Sequence, residues 1–342
     1  MKENEITGLF GNHPNLEGLL RAFGDAGSER IRLEGLTGSS KAIIVAGVFL
    51  RTMNTHLVII PEKEDAAYFY NDLVSLVGDD AVFFFPSTYK RSVQYWQTEP
   101  ANIVLRTEVL NHLASGKRKS IIVSYPESVM ELVVSKSNLK KNTFHIKKGD
   151  KISLEFLEEM LQEYHFTRTD FVYEPGQYSI RGSIADLFSF SSENPYRIDF
   201  FGEEVDTIRS FNTDDQLSVS ILNQVSIIPN LQDISVEEPN DTFNDFIPPS
   251  SSIWIEDAGF IREKINNIFN QTRQREEGSG HPVKKEIIIT GNRFIEECEK
   301  FRILEFGRQS FYTPDLIFEY HTEPQPSFKK NFELLSDKLL TC

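Results

Sequence analysis

Apolar residues recur along this chain in two rhythms. Up to about residue 140, short continuous apolar runs alternate with stretches whose apolar positions fall three and four apart. Residues 56–60, 82–85 and 120–124 are runs of the buried-strand kind, and Ile31-Arg32-Leu33-Glu34 is a short strand candidate. Between them, 42–50, 64–77 and 103–113 read as helices, the second with Ala67, Tyr70, Leu73 and Val74 along one side. Residues 1–30 read as a helical preamble, with Leu16, Leu19, Leu20 and Phe23 on one face. Strands alternating with helices at this pitch predict a parallel α/β sheet.

Near residue 142 the rhythm changes. Ser153 is placed to cap a helix through Tyr164, with Leu157, Met160, Leu161 and Tyr164 as its buried stripe. Strands at 178–181, 184–190, 196–201 and 205–211 then follow too closely for crossover helices, which predicts an antiparallel α+β unit. From 229 to 252 the chain is rich in Pro, Asn and Asp and reads as a long connection. Alternation returns with a strand at 253–255, a helix at 259–269 and a strand at 286–290, and the polar stretch 271–282 reads as a mobile loop. The C-terminal segment is mixed in character. The expected architecture is an α/β domain in two halves, 1–142 and 231–342, interrupted by an α+β domain at 143–230.

Composition sharpens the picture. Hydrophobic residues make up 39% and charged residues 25% of the 342, so the chain is ordinary globular material rather than disordered. The 51 acidic residues outnumber the 36 basic ones, and a net charge of −15 disfavours non-specific attraction to DNA phosphates. Two cysteines exclude a disulfide scaffold and suit a reducing compartment. With no apolar leader after Met1 and no run of roughly 18 apolar residues, a cytoplasmic protein without membrane contact is expected.

One loop carries the outline of nucleotide chemistry. Gly35-Leu36-Thr37-Gly38-Ser39-Ser40-Lys41 follows a strand and precedes a helix, as the pattern G-x-x-x-x-G-K-[ST] requires. In an intact loop the glycines let backbone N–H groups converge on phosphates, the lysine neutralises charge and the hydroxyl holds Mg²⁺. Here Lys41 keeps its place. Ser40 stands for the second glycine, where its Cβ is expected to oppose a positive φ, and Ala42 stands for the hydroxyl. Glu256-Asp257 ends a later apolar strand where such enzymes keep paired acids, although a plain turn with Asp257 capping the next helix fits as well. The expected identity is a degenerate phosphate loop of Gly35, Thr37, Gly38, Ser40 and Lys41 that does not hydrolyse.

No other catalytic residue and no metal ligand set can be nominated. The seven histidines lack metal-ligand spacing, and Ser87, Ser124 and Ser179 lack a nucleophile-elbow context. Lys117-Arg118-Lys119 reads as a solvated loop. The aromatic-rich stretch 83–96 reads as a loop completing the sheet edge rather than a DNA-gripping hairpin.

The informative stretch is Val172-Tyr173-Glu174-Pro175-Gly176-Gln177-Tyr178-Ser179-Ile180-Arg181-Gly182-Ser183-Ile184-Ala185-Asp186-Leu187-Phe188, continuing in Pro195-Tyr196-Arg197-Ile198-Asp199-Phe200-Phe201-Gly202-Glu203-Glu204-Val205. Strand alternation sends Tyr196, Ile198 and Phe200 to one face and Arg197, Asp199 and Phe201 to the other. Gly202-Glu203 suits a II′-type hairpin turn, and Arg181 points outward as Ile180 points in. An exposed aromatic flanked by arginines has the composition of a protein-binding hot spot. A blander reading makes Arg197 and Asp199 a solvated pair, with Phe201 packed under the hairpin.

These residues, together with the loop at 35–41, resemble the N-terminal UvrB-like module of bacterial transcription-repair coupling factors (Mfd). The motif run covers most of the α+β unit, the flanking halves fit less specifically, and residues beyond about 260 add little. The resemblance implies a degenerate helicase-like α/β domain interrupted by a UvrA-binding domain like domain 2 of UvrB. It implies a non-catalytic module that recruits UvrA to stalled RNA polymerase, with Arg181, Arg197 and Phe201 at the UvrA contact. It further implies that polymerase and DNA are engaged by missing downstream domains, and that ATP and Mg²⁺ serve a missing motor rather than this chain. Survival of Lys41 leaves room for residual anion binding. The competing readings are a helicase-like subunit with residual nucleotide binding and a UvrB-like damage-binding subunit.

Overall fold

Two sheets, each built from a different apolar pattern, organise the computed structural model of this chain. It describes residues 14–24, 29–88, 99–116, 119–231, 240–279, 287–323 and 336. The first four strands are β1 (Arg30–Glu34), β2 (His56–Ile59), β3 (Val82–Phe85) and β4 (Ile121–Ser124), alternating with helices Ser40–Arg51, Lys63–Val77 and Pro100–Ser115. Short strands β5 (Val133–Val134) and β6 (Phe144–Lys147) follow. Next come β7 (Thr167–Arg168), β8 (Gln177–Arg181), β9 (Ile184–Leu187), β10 (Tyr196–Phe201), β11 (Glu204–Phe211) and β12 (Ser218–Leu222). The remaining strands of the described residues are β13 (Gln224–Ile227), β14 (Asn240–Asp241), β15 (Ser252–Glu256), β16 (Arg302–Phe306) and β17 (Leu316–Glu319).

The larger sheet has the order β17-β1-β16-β15-β2-β4-β3, and every pairing in it is parallel. Its strands come from residues 30–124 and 252–319, while the strands of the six-stranded sheet all lie between them in the chain. Continuous apolar runs suit it because both faces are covered. Leu57, Ile59, Ile253, Ile255 and Ile303 face a core shared with helices Pro100–Ser115, Ala258–Ser279 and Gly291–Cys298. Val58, Ile60, Trp254, Leu304 and Phe306 face the opposite core, under helices Pro14–Gly24, Ser40–Arg51 and Lys63–Val77. The buried Trp254 indole N–H donates to His56 Nδ1 at 2.9 Å, and His56 Nε2 lies 2.9 Å from Thr52 Oγ1. Burial, with Lys119 adding repulsion, lowers the His56 pKa to about 3 and keeps the ring neutral.

The smaller sheet runs β12-β11-β10-β9-β8-β7, antiparallel except for β7 with β8. One face packs on helix Leu154–Glu163 through Leu157, Met160 and Leu161. Ser153 caps that helix as expected, its hydroxyl accepting from the Phe156 N–H at 3.1 Å. Ile103 and Val104 of helix Pro100–Ser115 join this third core, while Val109, Leu110 and Leu113 lie in the first, so that helix touches both sheets.

Several expectations are corrected. Residues 271–279 continue the helix Ala258–Ser279 instead of forming a loop, while 280–282 lie outside the described residues. Of the expected strand at 286–290, residue 286 lies outside the described residues, and 287–290 form one bridge, Ile288 with Glu131, before Thr290 caps the next helix. Central strand β16 was not anticipated. Tyr164 is only partly buried. Residues 1–13, 89–96, 117–118 and 232–239, which carry parts of the preamble, the aromatic stretch, the basic run and the connection, also lie outside the described residues.

Candidate docking face and phosphate loop

The outer face of the six-stranded sheet follows from its register, because directly paired residues share a face. One row across the strands reads Ser179, Asp186, Arg197, Arg209 and Ile221. The next reads Arg181, Ile184, Asp199 and Thr207, and beyond it Phe201 stands opposite Glu204 at the hairpin end. Tyr196, Ile198 and Phe200 point the other way, into the core. Hairpins β8–β9 and β10–β11 each turn through two residues, with Gly182 at φ 61° and Gly202 at φ 64°, where a side chain would be strained.

Arginines and aspartates on this face form a ladder. Arg197 places Nε 2.7 Å from Asp186 Oδ1 and Nη2 2.9 Å from Oδ2, while Arg181 Nη2 reaches Oδ2 at 2.6 Å. Asp186 is only 1% exposed because the two guanidiniums cover it. The Asp186 hydrogen bonds raise Arg197 further above its ordinary pKa. Asp199 binds Arg209 and the Thr207 hydroxyl, so Arg197 and Asp199 are not the solvated pair of the blander reading. The arginines also lie over aromatics, Arg181 over Phe171 at 4.9 Å and Arg197 over Phe211 at 4.5 Å. Phe201 is 84% exposed and does not pack under the hairpin. The structure therefore brings Arg181 and Arg197 together and leaves Phe201 free on the same face. Sequence reasoning missed Asp186 as their common partner; the cross-strand register was the missing information.

The loop at 35–41 follows β1 and opens helix Ser40–Arg51. Gly35 (φ 76°) and Gly38 (φ 54°) take left-handed geometry, and a Cβ on Gly35 would meet the Tyr320 carbonyl oxygen at 1.8 Å. The segment after β17 crosses this loop. Thr322 Oγ1 donates to the Gly35 carbonyl at 2.7 Å and accepts from the Thr37 N–H at 2.9 Å. Ser40 begins the helix without positive φ, so the expected Cβ strain is absent. Its hydroxyl acts instead, accepting from the Thr37 N–H at 3.0 Å and donating to the Thr37 carbonyl at 2.6 Å.

Lys41 Nζ lies 2.5 Å from Glu256 Oε1 at the end of β15, and Ala42 is fully buried. Asp257 has φ 50°, and its Oδ1 accepts from the Arg308 and Gln309 N–H groups at 2.6 and 3.0 Å. Its carboxylate thus holds the loop after β16 and does not cap the helix. In this structure the Thr37 N–H is taken by hydroxyls and the Lys41 ammonium by the Glu256 carboxylate, and position 42 has no metal-binding oxygen. Among the described residues, no three His, Cys, Asp or Glu side chains gather where a metal could be held, and no helix is long and apolar enough to cross a membrane.

Residues 144–232 match the family model of the UvrB interaction domain. The transcription-repair-coupling factor of Bacillus subtilis (strain 168) is 32% identical over 197 residues, covering 58% of this chain and 17% of that protein. That of Escherichia coli (strain K12) is 29% identical over 212 residues, covering 60% and 18%. UvrABC system protein B of Fusobacterium nucleatum is 25% identical over 319 residues, covering 90% of this chain and 46% of its own length. The chain thus spans about a fifth of the coupling factors and under half of the UvrB protein. It joins an α/β fold to a stretch that matches the UvrB interaction domain, and it is similar to transcription-repair-coupling factors and to UvrABC system protein B.

Proposed function

We propose that this chain is a non-catalytic UvrA-binding module, part of a longer coupling factor that brings excision repair to stalled RNA polymerase. The observation that carries the reading is Phe201, 84% exposed beside the Arg181–Asp186–Arg197 ladder, within the span of the UvrB interaction domain. An exposed aromatic beside arginines has the composition of a binding hot spot, and those arginines suit carboxylates on a partner. The larger sheet then acts as a degenerate helicase-like scaffold interrupted by the docking domain. Its Lys41–Glu256 pair and Thr322 cross-bracing support a role without nucleotide turnover. RNA polymerase and DNA are engaged through other parts of the longer protein.

Capture of purified UvrA by the immobilised chain tests the proposal, with Phe201→Ala as the control that should lose it. The longer alignment with UvrB would favour a damage-binding subunit instead, and damage-selective duplex binding by this chain would establish that reading.

A further inference from the structure

We infer that the docking face does not end at β10 but continues over Arg209 to the edge strand β12, where Ile221 forms its second apolar anchor. This rests on the UvrA reading above and extends it to residues outside the recognised motif run. A standard interface buries about 800 Å² on each partner, more than Arg181, Arg197 and Phe201 supply, since Arg181 is 43% and Arg197 only 18% exposed.

The register shows where the face continues. Arg197 pairs with Arg209, and Arg209 pairs with Ile221, so the three lie in one row across neighbouring strands on one face. At about 4.8 Å per strand, Ile221 stands roughly 10 Å from Arg197. Ile221 is 82% exposed, with Val219 at 61% and Leu217 at 65% beside it on the sheet edge. Two apolar anchors, Phe201 and Ile221, therefore flank three guanidiniums that share two aspartates. A partner surface with carboxylates between two apolar contacts complements this arrangement. That partner is UvrA.

The test measures UvrA binding to the wild-type chain and to Ile221→Asp, Ile221→Ser, Arg209→Gln and Phe201→Ala, each with a thermal melt. Ile221 is so exposed that its variants should melt like wild type, and both should weaken UvrA binding at least tenfold. Arg209→Gln, which keeps the stem of the side chain, should weaken it several-fold. If Phe201→Ala loses UvrA while folded Ile221 and Arg209 variants bind like wild type, the extension is overturned and the contact ends at β10. Concentration-dependent dimers of the free chain that disappear in Ile221→Asp while UvrA binding is unchanged would overturn it in favour of a second copy at this edge. If the wild-type chain does not bind UvrA at all, the UvrA reading itself fails and the extension falls with it.

Discussion

Arg197 grips Asp186 with two near-parallel hydrogen bonds, at 2.7 and 2.9 Å, across the β9–β10 pairing and not along its own strand. That two-point contact fixes the plane of the guanidinium over Phe211 before any partner arrives. A side chain already held in place loses less freedom on binding, so the ladder is a preorganised half of an interface.

Asp186→Asn should loosen both arginines at once. Removing one member of a fully buried ion pair costs about 3–5 kcal/mol. Here Arg181 and Arg197 keep 43% and 18% exposure, and solvent screening reduces the cost to about 1–2 kcal/mol. A melt several degrees below wild type is expected, together with weaker UvrA capture. An unchanged melt and unchanged capture would show that the ladder organises nothing.

ATP turnover should be absent. No magnesium-dependent phosphate release above buffer is expected from the wild-type chain, nor from Lys41→Ala or Glu256→Gln. Release that disappears in Lys41→Ala would refute the reading of the loop as inert.

Glu108 makes a pH-dependent prediction. Burial, and then repulsion from Glu193, raise its pKa to about 7 from an ordinary 4.5. Between those values the folded chain keeps a proton that the unfolded chain has released, so this group makes stability fall as pH rises. The penalty is complete above about pH 7 and absent below about 4.5. Glu108→Gln should therefore raise the melting temperature at pH 8 and leave it nearly unchanged at pH 4.5. An equal gain at both pH values would contradict this.

How much was legible before the structure depends on how far apart the interacting residues lie. The strand and helix rhythm up to residue 124 predicts the elements there because each is written in local apolar spacing. Alternation along β10 was enough to put Arg197 and Phe201 on one face. The Arg197–Asp186 pair was hidden because it depends on which residues face each other across strands, and Asp199, two positions along, was the nearer candidate. Thr322 lies 285 residues from Thr37, so no local pattern linked them. Strand β16 was lost because Arg302 and Glu305, both buried, interrupt its apolar run. The end of helix Ala258–Ser279 was misread because its last turns carry no apolar stripe.

The measurement closest to the central claim is the affinity of UvrA for the wild-type chain, for Arg197→Glu and for Phe201→Ala, each checked by a thermal melt. Losing a hot-spot residue typically costs about 2 kcal/mol or more, roughly thirtyfold in affinity. The account expects wild-type binding, and a loss of at least that size in both variants, with Phe201→Ala melting like wild type because its ring is already in solvent. Folded variants that bind UvrA as tightly as wild type would contradict it.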